Sequence, residues 1–480
     1  MFVVGAVTLA LAAGCSSGSS KAAGSATTSP STSTSVKTAS APGVIGHSGR
    51  WLTDATGRVV LLHGMNMVAK FRETPAARGF GADDAAWIAD NGFDVVRLGF
   101  VADAVMPTPG VINTAYVQSF ARTVDLLTAH GLLVLVDLHQ DGWGPATSGD
   151  GFPAWMTITH GAKNTHTPFP LYYVTNPAIQ AAFDSFWGND AGPGNVGIQD
   201  QVAKIWGAVA AAVGSNPGVL GYDVINEPWP GTKFGACLSN PNGCPVQDAS
   251  GLDPYDARID HAIRAHDAHH LVFPEPYTLF NFGMALTHVK LPGGDPNSGL
   301  SFHMYPGTPA LEPAVLAHAA TWSTQTGGAL LNTEFGATTD PAAIDRMVGE
   351  LDHALLPWIW WSYDELVPDM TKPPTGANIA HAAVGELIRP HPVAVAGTPT
   401  ALDYNPRTRV LTVSWSTTGP NRTHYPAATD TIIKVPGSVY AKGYSVQVRG
   451  GQVTSAPNAT ELTITNSPAA AMVTVSLRPT

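Results

Sequence analysis

Residues 219–228 read VLGYDVINEP, and residues 329–336 read ALLNTEFG. Each begins as a short apolar run without alternation, the pattern of a strand covered on both faces. Each then ends on a carboxylate, Glu227 in one and Glu334 in the other. A glutamate at the end of a buried strand is expected to open into a cavity. Six further runs share the form: VVLLHGMN (59–66), FDVVRLGF (93–100), LLVLVDLHQD (132–141), LVFPEP (271–276), LSFHMYPG (300–307) and LPWIWWSYDE (356–365).

Between these eight runs lie amphipathic segments such as 116–130 and 199–213. Eight buried strands alternating with helices predict an α/β fold, a (β/α)8 TIM barrel, over residues 44–392. Chemistry in that fold gathers at the C-terminal strand ends. The polar residues sit there: Asn66, Arg97, His139, Asp141, Asn226, Glu227, His303, Tyr305, Glu334 and Trp361. The stretch before the first strand, GRWLTDATGRVV, reads as a hairpin closing the barrel floor. Beyond it, residues 393–480 change texture. RVLTVSW, TIIKV, YSVQVR, LTIT and MVTVSL alternate between turns, as a small antiparallel β-sandwich does.

Two facing carboxylates suit glycoside hydrolysis. One protonates the leaving oxygen, and the other attacks the sugar or activates water. Strands four and seven of a barrel face each other across the mouth, so Glu227 and Glu334 are expected at the short spacing of a retaining pair. Arg97, His303 and Tyr305 are candidates for substrate binding, and Arg97 and the Tyr305 hydroxyl would also hold Glu334 ionised as the nucleophile. Glu227, facing that charge, would keep its proton and act as acid/base. Asn226 would bond the sugar 2-hydroxyl and Trp361 would lie under the ring. Lys70 and Asp141 are placed to read several hydroxyls, or else form an ion pair with each other. Taken singly, a Glu before Pro is a common turn residue and His139 a common core histidine; the set in this order is not.

The third connection, 142–193, is long and carries Trp143, Phe152, Trp155, Phe169, Tyr172, Tyr173, Phe183, Phe186 and Trp187. Such a row on the active face reads either as packing or as a sugar or lipid platform.

Composition bounds the rest. Of 480 residues 44% are hydrophobic and 13% charged, as in a globular chain. The formal net charge of −11 excludes a general nucleic-acid binder, which must neutralise phosphates. Residues 1–15 form a short apolar segment ending at Cys15, read as an export signal. Cys15 is either an incidental cysteine or, as in a lipobox, the lipid-bearing residue of a surface lipoprotein. Residues 16–43 are rich in Ser, Thr, Ala and Gly, the composition of a disordered tether. Either reading places the protein outside the cytoplasm, secreted or anchored to the outer face of a membrane. Cys237 and Cys244 bracket a turn and are expected to form a disulfide rather than a metal site. No metal or cofactor is called for, and a monomer is expected.

The set Arg97, His139, Asn226, Glu227, His303, Tyr305, Glu334 and Trp361 resembles the invariant set of glycoside hydrolase family 5. The resemblance implies Glu227 as acid/base and Glu334 as nucleophile. A narrower likeness lies in GMNMVAK (64–70), DLHQDGW (137–143), FDSFWGN (183–189), YDVINEPWPG (222–231), HMYPG (303–307), WWSYDE (360–365) and RPHPVAVAGTPT (389–400), which resemble bacterial endoglycoceramidases. That implies cleavage between the glycan and ceramide of glycosphingolipids, presented by a membrane or micelle surface. It also implies that Lys70, His139, Asp141, Asn226, Trp361 and Trp187 contact the sugar beside the cut. Two alternatives stand beside it. One is hydrolysis of simple glucosyl lipids or a β-glucan, and the other a glycolipid-binding lipoprotein without catalysis.

Overall fold

A computed structural model describes residues 43–480, save Pro241, Thr423 and Ala427. The export segment with Cys15 and residues 16–42 of the tether lie outside the described residues. A hairpin of β1 (Gly46–Ser48) and β2 (Trp51–Thr53) opens the fold. The barrel follows as β3 (His63–Val68), β4 (Val95–Phe100), β5 (Leu133–Leu138), β6 (Val219–Asp223), β7 (Leu271–Phe273), β8 (Gly299–Met304), β9 (Ala329–Phe335) and β10 (Trp358–Trp360). Every residue of these eight strands is buried, which is why their sequences show no alternation. They pair in parallel in the order β7-β6-β5-β4-β3-β10-β9-β8. A bridge between Val272 and Ser298 brings the two end strands together and closes the ring.

Alternation survives inside the strands as a division between two cores. Val95, Leu135, Leu220, Phe273, Leu331 and Ile359 pack together with Ile45, just before the hairpin, and with Leu52 of β2, so the hairpin plugs the floor as expected. Val96, Leu98, Val134, Val136 and Tyr222 instead face the surrounding helices. Helices Thr114–Ala129 and Ile198–Val213 supply Phe120, Val124, Ile205 and Trp206 to that outer core. Above the apolar floor the inward positions turn polar: Arg97 on β4, Asp137 on β5 and Asp223 on β6.

Eight further strands form the sandwich: β11 (His391–Ala394), β12 (Thr398–Asn405), β13 (Val410–Ser416), β14 (Asp430–Lys434), β15 (Tyr444–Arg449), β16 (Gly451–Val453), β17 (Glu461–Asn466) and β18 (Met472–Pro479). One sheet runs β11-β14-β17-β16 and the other β12-β13-β18-β15. The first sandwich strand starts at His391, just ahead of the division expected at 392/393, because it pairs with β14. The sandwich meets the barrel at its N-terminal face. Asp94, which precedes β4, takes the Lys434 ammonium and the His391 ring at 2.6 Å each. Beside it, His63 is stacked between Trp358 and His391 at 4.1 and 3.7 Å. The sandwich therefore lies at the opposite end of the barrel from the glutamates.

Candidate active site

Glu334 reaches the mouth through an irregularity. Along β8 and β9, Phe302 pairs with Asn332, but His303 pairs with Glu334, so Thr333 is an extra residue. A bulge of this kind lets consecutive side chains share one face. Thr333 and Glu334 both point into the barrel: the Thr333 hydroxyl meets Ser301 at 2.6 Å, and Glu334 meets Arg97 at 2.5 Å. Glu227 lies four residues past the end of β6, in the left-handed region with φ 42. That conformation is costly for a residue with a Cβ, by about 1–3 kcal/mol. It is held by two buried groups. The Glu227 N–H donates to Glu275 at 2.9 Å, and its carbonyl accepts from the Gln140 amide at 3.0 Å.

His303 joins the pair. Its Nδ1 lies 2.9 Å from Glu227 Oε1 and 3.5 Å from Glu334 Oε2. The facing oxygens are therefore no further apart than the sum of those lengths. This falls short of the roughly 6.5–9.5 Å that an inverting pair leaves for a water, and suits a retaining pair. Burial disfavours a charged His303 ring, but Glu275, Glu334 and the bond to Glu227 outweigh it and hold its pKa well above the usual value. Burial also pushes the Glu334 carboxyl up, against the pull of His303 and Arg97. The groups bonded to Glu334 are donors: Arg97, and the Tyr305 hydroxyl at 3.2 Å. Burial and Glu334 keep that phenol protonated. An array of donors favours the carboxylate that a nucleophile must be.

Arg97 is expected at the sugar, and the structure corrects this. It is fully buried. Its five N–H bonds are spent on Asp223, Asn66, Glu334, Asp137, Asn226 and Glu275, at 2.5–3.1 Å. With no donor left for a hydroxyl, it is a positioning residue beneath the site. Trp187 also departs from expectation. Its N–H donates to the Trp229 carbonyl at 2.8 Å, and its ring packs on Phe186, Tyr255 and Tyr277, behind the loop that carries Glu227. The aromatic row is largely a small core of its own: Trp143, Phe152, Phe183 and Phe186 are fully buried against one another.

The remaining expected residues converge. Asn226 accepts from Arg97 through its oxygen and donates one amide hydrogen to the Gln140 carbonyl, leaving the second for a substrate hydroxyl. Trp361 stacks on His139 at 5.3 Å, and the Lys70 ammonium lies 4.9 Å over the indole. Lys70 pairs with Asp141, so the ion-pair reading of these two holds, and Lys70 lines a pocket together with Trp361. His139 donates to Asp137 at 2.9 Å; burial lowers its pKa, but Asp137 and Asp141 lift it to about 9. Asp150 joins this corner from the long third connection, where burial and Asp141 push its carboxyl up to about 7. His139, Asp141 and Asp150 bring ligand atoms within 4.8 Å of one another and could hold a cation, although the Lys70 ammonium supplies positive charge there. Cys237 and Cys244 form the expected disulfide in the loop after β6.

Four residues escaped the sequence reading. Asp137, Asp223 and Glu275 surround Arg97 and are themselves fully buried. The signal for the first two was present: a charged residue in an apolar run, next to last in β5 for Asp137 and last in β6 for Asp223. Glu275, between two prolines, and Asp150, in a glycine-rich loop, carried no such signal.

The comparisons agree with this geometry. The cellulase family (glycosyl hydrolase family 5) matches residues 53–366, and the glycoside hydrolase family 5 C-terminal domain matches residues 389–477. Endoglycoceramidase I of Rhodococcus hoagii (strain 103S) is 33% identical over 446 residues, covering 87% of this chain and 84% of that protein. An endoglycoceramidase of Hydra vulgaris is 29% identical over 417 residues, covering 77% of this chain and 76% of that protein. Endo-glycoceramidase II from Rhodococcus sp., solved as a lactosyl-enzyme intermediate, superposes with a TM-score of 0.73 at 26% identity, covering 90% of this chain and 100% of that one. Its ganglioside GM3 complex gives 0.74 at 25% identity, with the same coverage. Both halves of the chain, the barrel that carries the paired glutamates and the sandwich beneath it, thus place it in one lineage: it belongs to glycoside hydrolase family 5 and is a retaining glycosidase.

Proposed function

We propose that this enzyme cleaves the β-glycosidic bond between the reducing-end sugar of a glycosphingolipid and its ceramide, releasing the glycan intact. The observation that carries the chemistry is the single His303 nitrogen lying within reach of both Glu227 and Glu334. The substrate class is supported by the endoglycoceramidases that the chain resembles over most of its length.

With the sugar on Trp361 and its 2-hydroxyl on the remaining Asn226 hydrogen, Glu334 attacks the anomeric carbon. Glu227 delivers its proton to the departing ceramide oxygen as the bond breaks. His303 fixes one Glu227 oxygen and leaves the other for that transfer. Once Glu334 is an ester its negative charge is gone, and the Glu227 carboxylate left by proton transfer takes a proton from water. Attack by that water frees the sugar with its original configuration. The Lys70–Asp141 pair and His139 stand where the outer hydroxyls would arrive.

Incubation with lactosylceramide or a ganglioside in detergent should liberate free oligosaccharide, and the Glu227→Gln variant should not. Equal release by both proteins, or a faster rate on a soluble β-glucan than on any glycolipid, would remove the proposal. Export to an oxidising compartment is a second part of it. It is supported by the apolar segment ending at Cys15, by the composition of residues 16–43 and by the Cys237–Cys244 disulfide.

A further inference from the structure

Among the described residues eleven large apolar side chains are exposed, and nine of them lie on connections that follow barrel strands one to six, on the face where the glutamates open. The other two, Val453 and Met472, are in the sandwich. Phe71, Leu171, Val246 and Met284 are each more than half exposed. Scattered single apolar residues are ordinary, whereas nine of eleven gathered on one face are not.

These side chains sit on loops that touch in sequence. In the third connection Phe169 packs on Tyr172, and its neighbour Tyr173 packs on Trp229 of the fourth at 5.1 Å. Trp229 stacks on Phe234, which opens the short helix Phe234–Leu238. The fourth loop joins the fifth where the Asn242 carbonyl meets the His288 ring at 3.0 Å. The fifth joins the sixth where Gly283 lies against the Leu311 backbone. The exposed apolar residues thus form an arc around the mouth, from the third loop to the sixth.

We propose that this arc docks the mouth on a neutral phospholipid bilayer by shallow insertion of apolar side chains. The inference rests on the glycolipid reading of the site. The bond to be cut then lies at the headgroup level of a membrane, and the rim that reaches it is continuous with the arc. A formal net charge of −11 makes attraction to anionic lipid an unsuitable source of binding, whereas apolar insertion is insensitive to salt.

The test is co-sedimentation with phosphatidylcholine vesicles that contain no glycolipid, so that docking is read apart from substrate recognition. The full chain is used in a Cys15→Ser background to exclude any acyl anchor. The parent protein should pellet with the vesicles equally at low and high salt. The triple variant Leu171→Ser, Val246→Ser, Met284→Ser should partition at least about tenfold less. It should still hydrolyse detergent-dispersed glycolipid or a soluble aryl glycoside at the parental rate. The control Val453→Ser, Met472→Ser should pellet as the parent does. No pelleting of the parent, equal pelleting of the triple variant, or binding only to anionic vesicles would overturn the proposal. So would a dimer, formed without vesicles and abolished by the triple substitution, which would assign the arc to a second copy of the chain. Failure of docking with glycolipid hydrolysis intact would leave the substrate reading standing.

Discussion

Replacing Glu275 by Gln tests whether the buried carboxylates beneath the pair are part of the catalytic apparatus. The change is isosteric and removes one negative charge. It touches three groups at once: the Glu227 N–H at 2.9 Å, Arg97 at 3.1 Å and His303 Nε2 at 3.2 Å. The amide oxygen can still accept from Glu227. The amide nitrogen must then face both Arg97 and His303, donor against donor. Loss of one charge-assisted interaction is worth about 1.5–3 kcal/mol. If that energy positions the acid/base, kcat/KM should fall roughly ten- to hundredfold. Glu275 is also the foremost group raising the His303 pKa against burial. With it gone the ring loses its proton at lower pH, so the basic limb of the kcat/KM profile should move toward acid. A merely structural residue would lower stability without moving that limb. Activity within threefold of wild type, or an unshifted profile in a folded variant, would refute the reasoning.

Four further outcomes are expected. Glu227→Gln should lower kcat/KM by about 10²–10⁴ on natural glycosides, with azide restoring turnover of an aryl glycoside. A fluorinated mechanism-based inhibitor should add its sugar mass to the peptide carrying Glu334, and the first anomer seen by NMR should retain the substrate's configuration. His63 is fully buried, and burial together with His391 lowers its pKa to about 4 against the pull of Asp352. The unfolded chain therefore binds the extra proton between the unfolded value near 6.5 and 4, and stability from this ring is lost as pH falls through that window. The contribution is about 3 kcal/mol, so the denaturant-derived stability of His63→Phe should change less than that of wild type from pH 7 to 4. Replacing both Cys237 and Cys244 by Ser should cost about 2.5 kcal/mol or less for so short a loop. Thermal unfolding would report that loss, with rates on a soluble substrate unchanged.

Much of this architecture could be read from residue order alone, for a physical reason. Strands buried on both faces must be continuously apolar, so eight such runs stand out, and a glutamate ending two of them is conspicuous. The sandwich was harder to read. Strand β12 contains Pro399, sits at a sheet edge and is interrupted between Pro399 and Ala401, so its pattern is broken where a strand signal should be strongest. In the site, sequence position marked Arg97 as functional. Whether it meets substrate depends on how many acceptors surround it in space, and those come from β3, β5, β6 and β9 and from the loops after β6 and β7. The aromatic connection misled for the same reason: type and spacing do not tell whether rings face a cavity or one another.

The irregular pairing beside His303 has one more implication. Pairing Thr333 itself with His303 would give β9 a more regular ladder with β8, yet it would move every later side chain of the strand to the opposite face. The molecule's best-paired form at this point would carry its nucleophile among the helices. The break in the β9 ladder is therefore held by the reaction rather than by the sheet, and a search for stabler variants that rewards regular pairing there would be drawn toward inert ones.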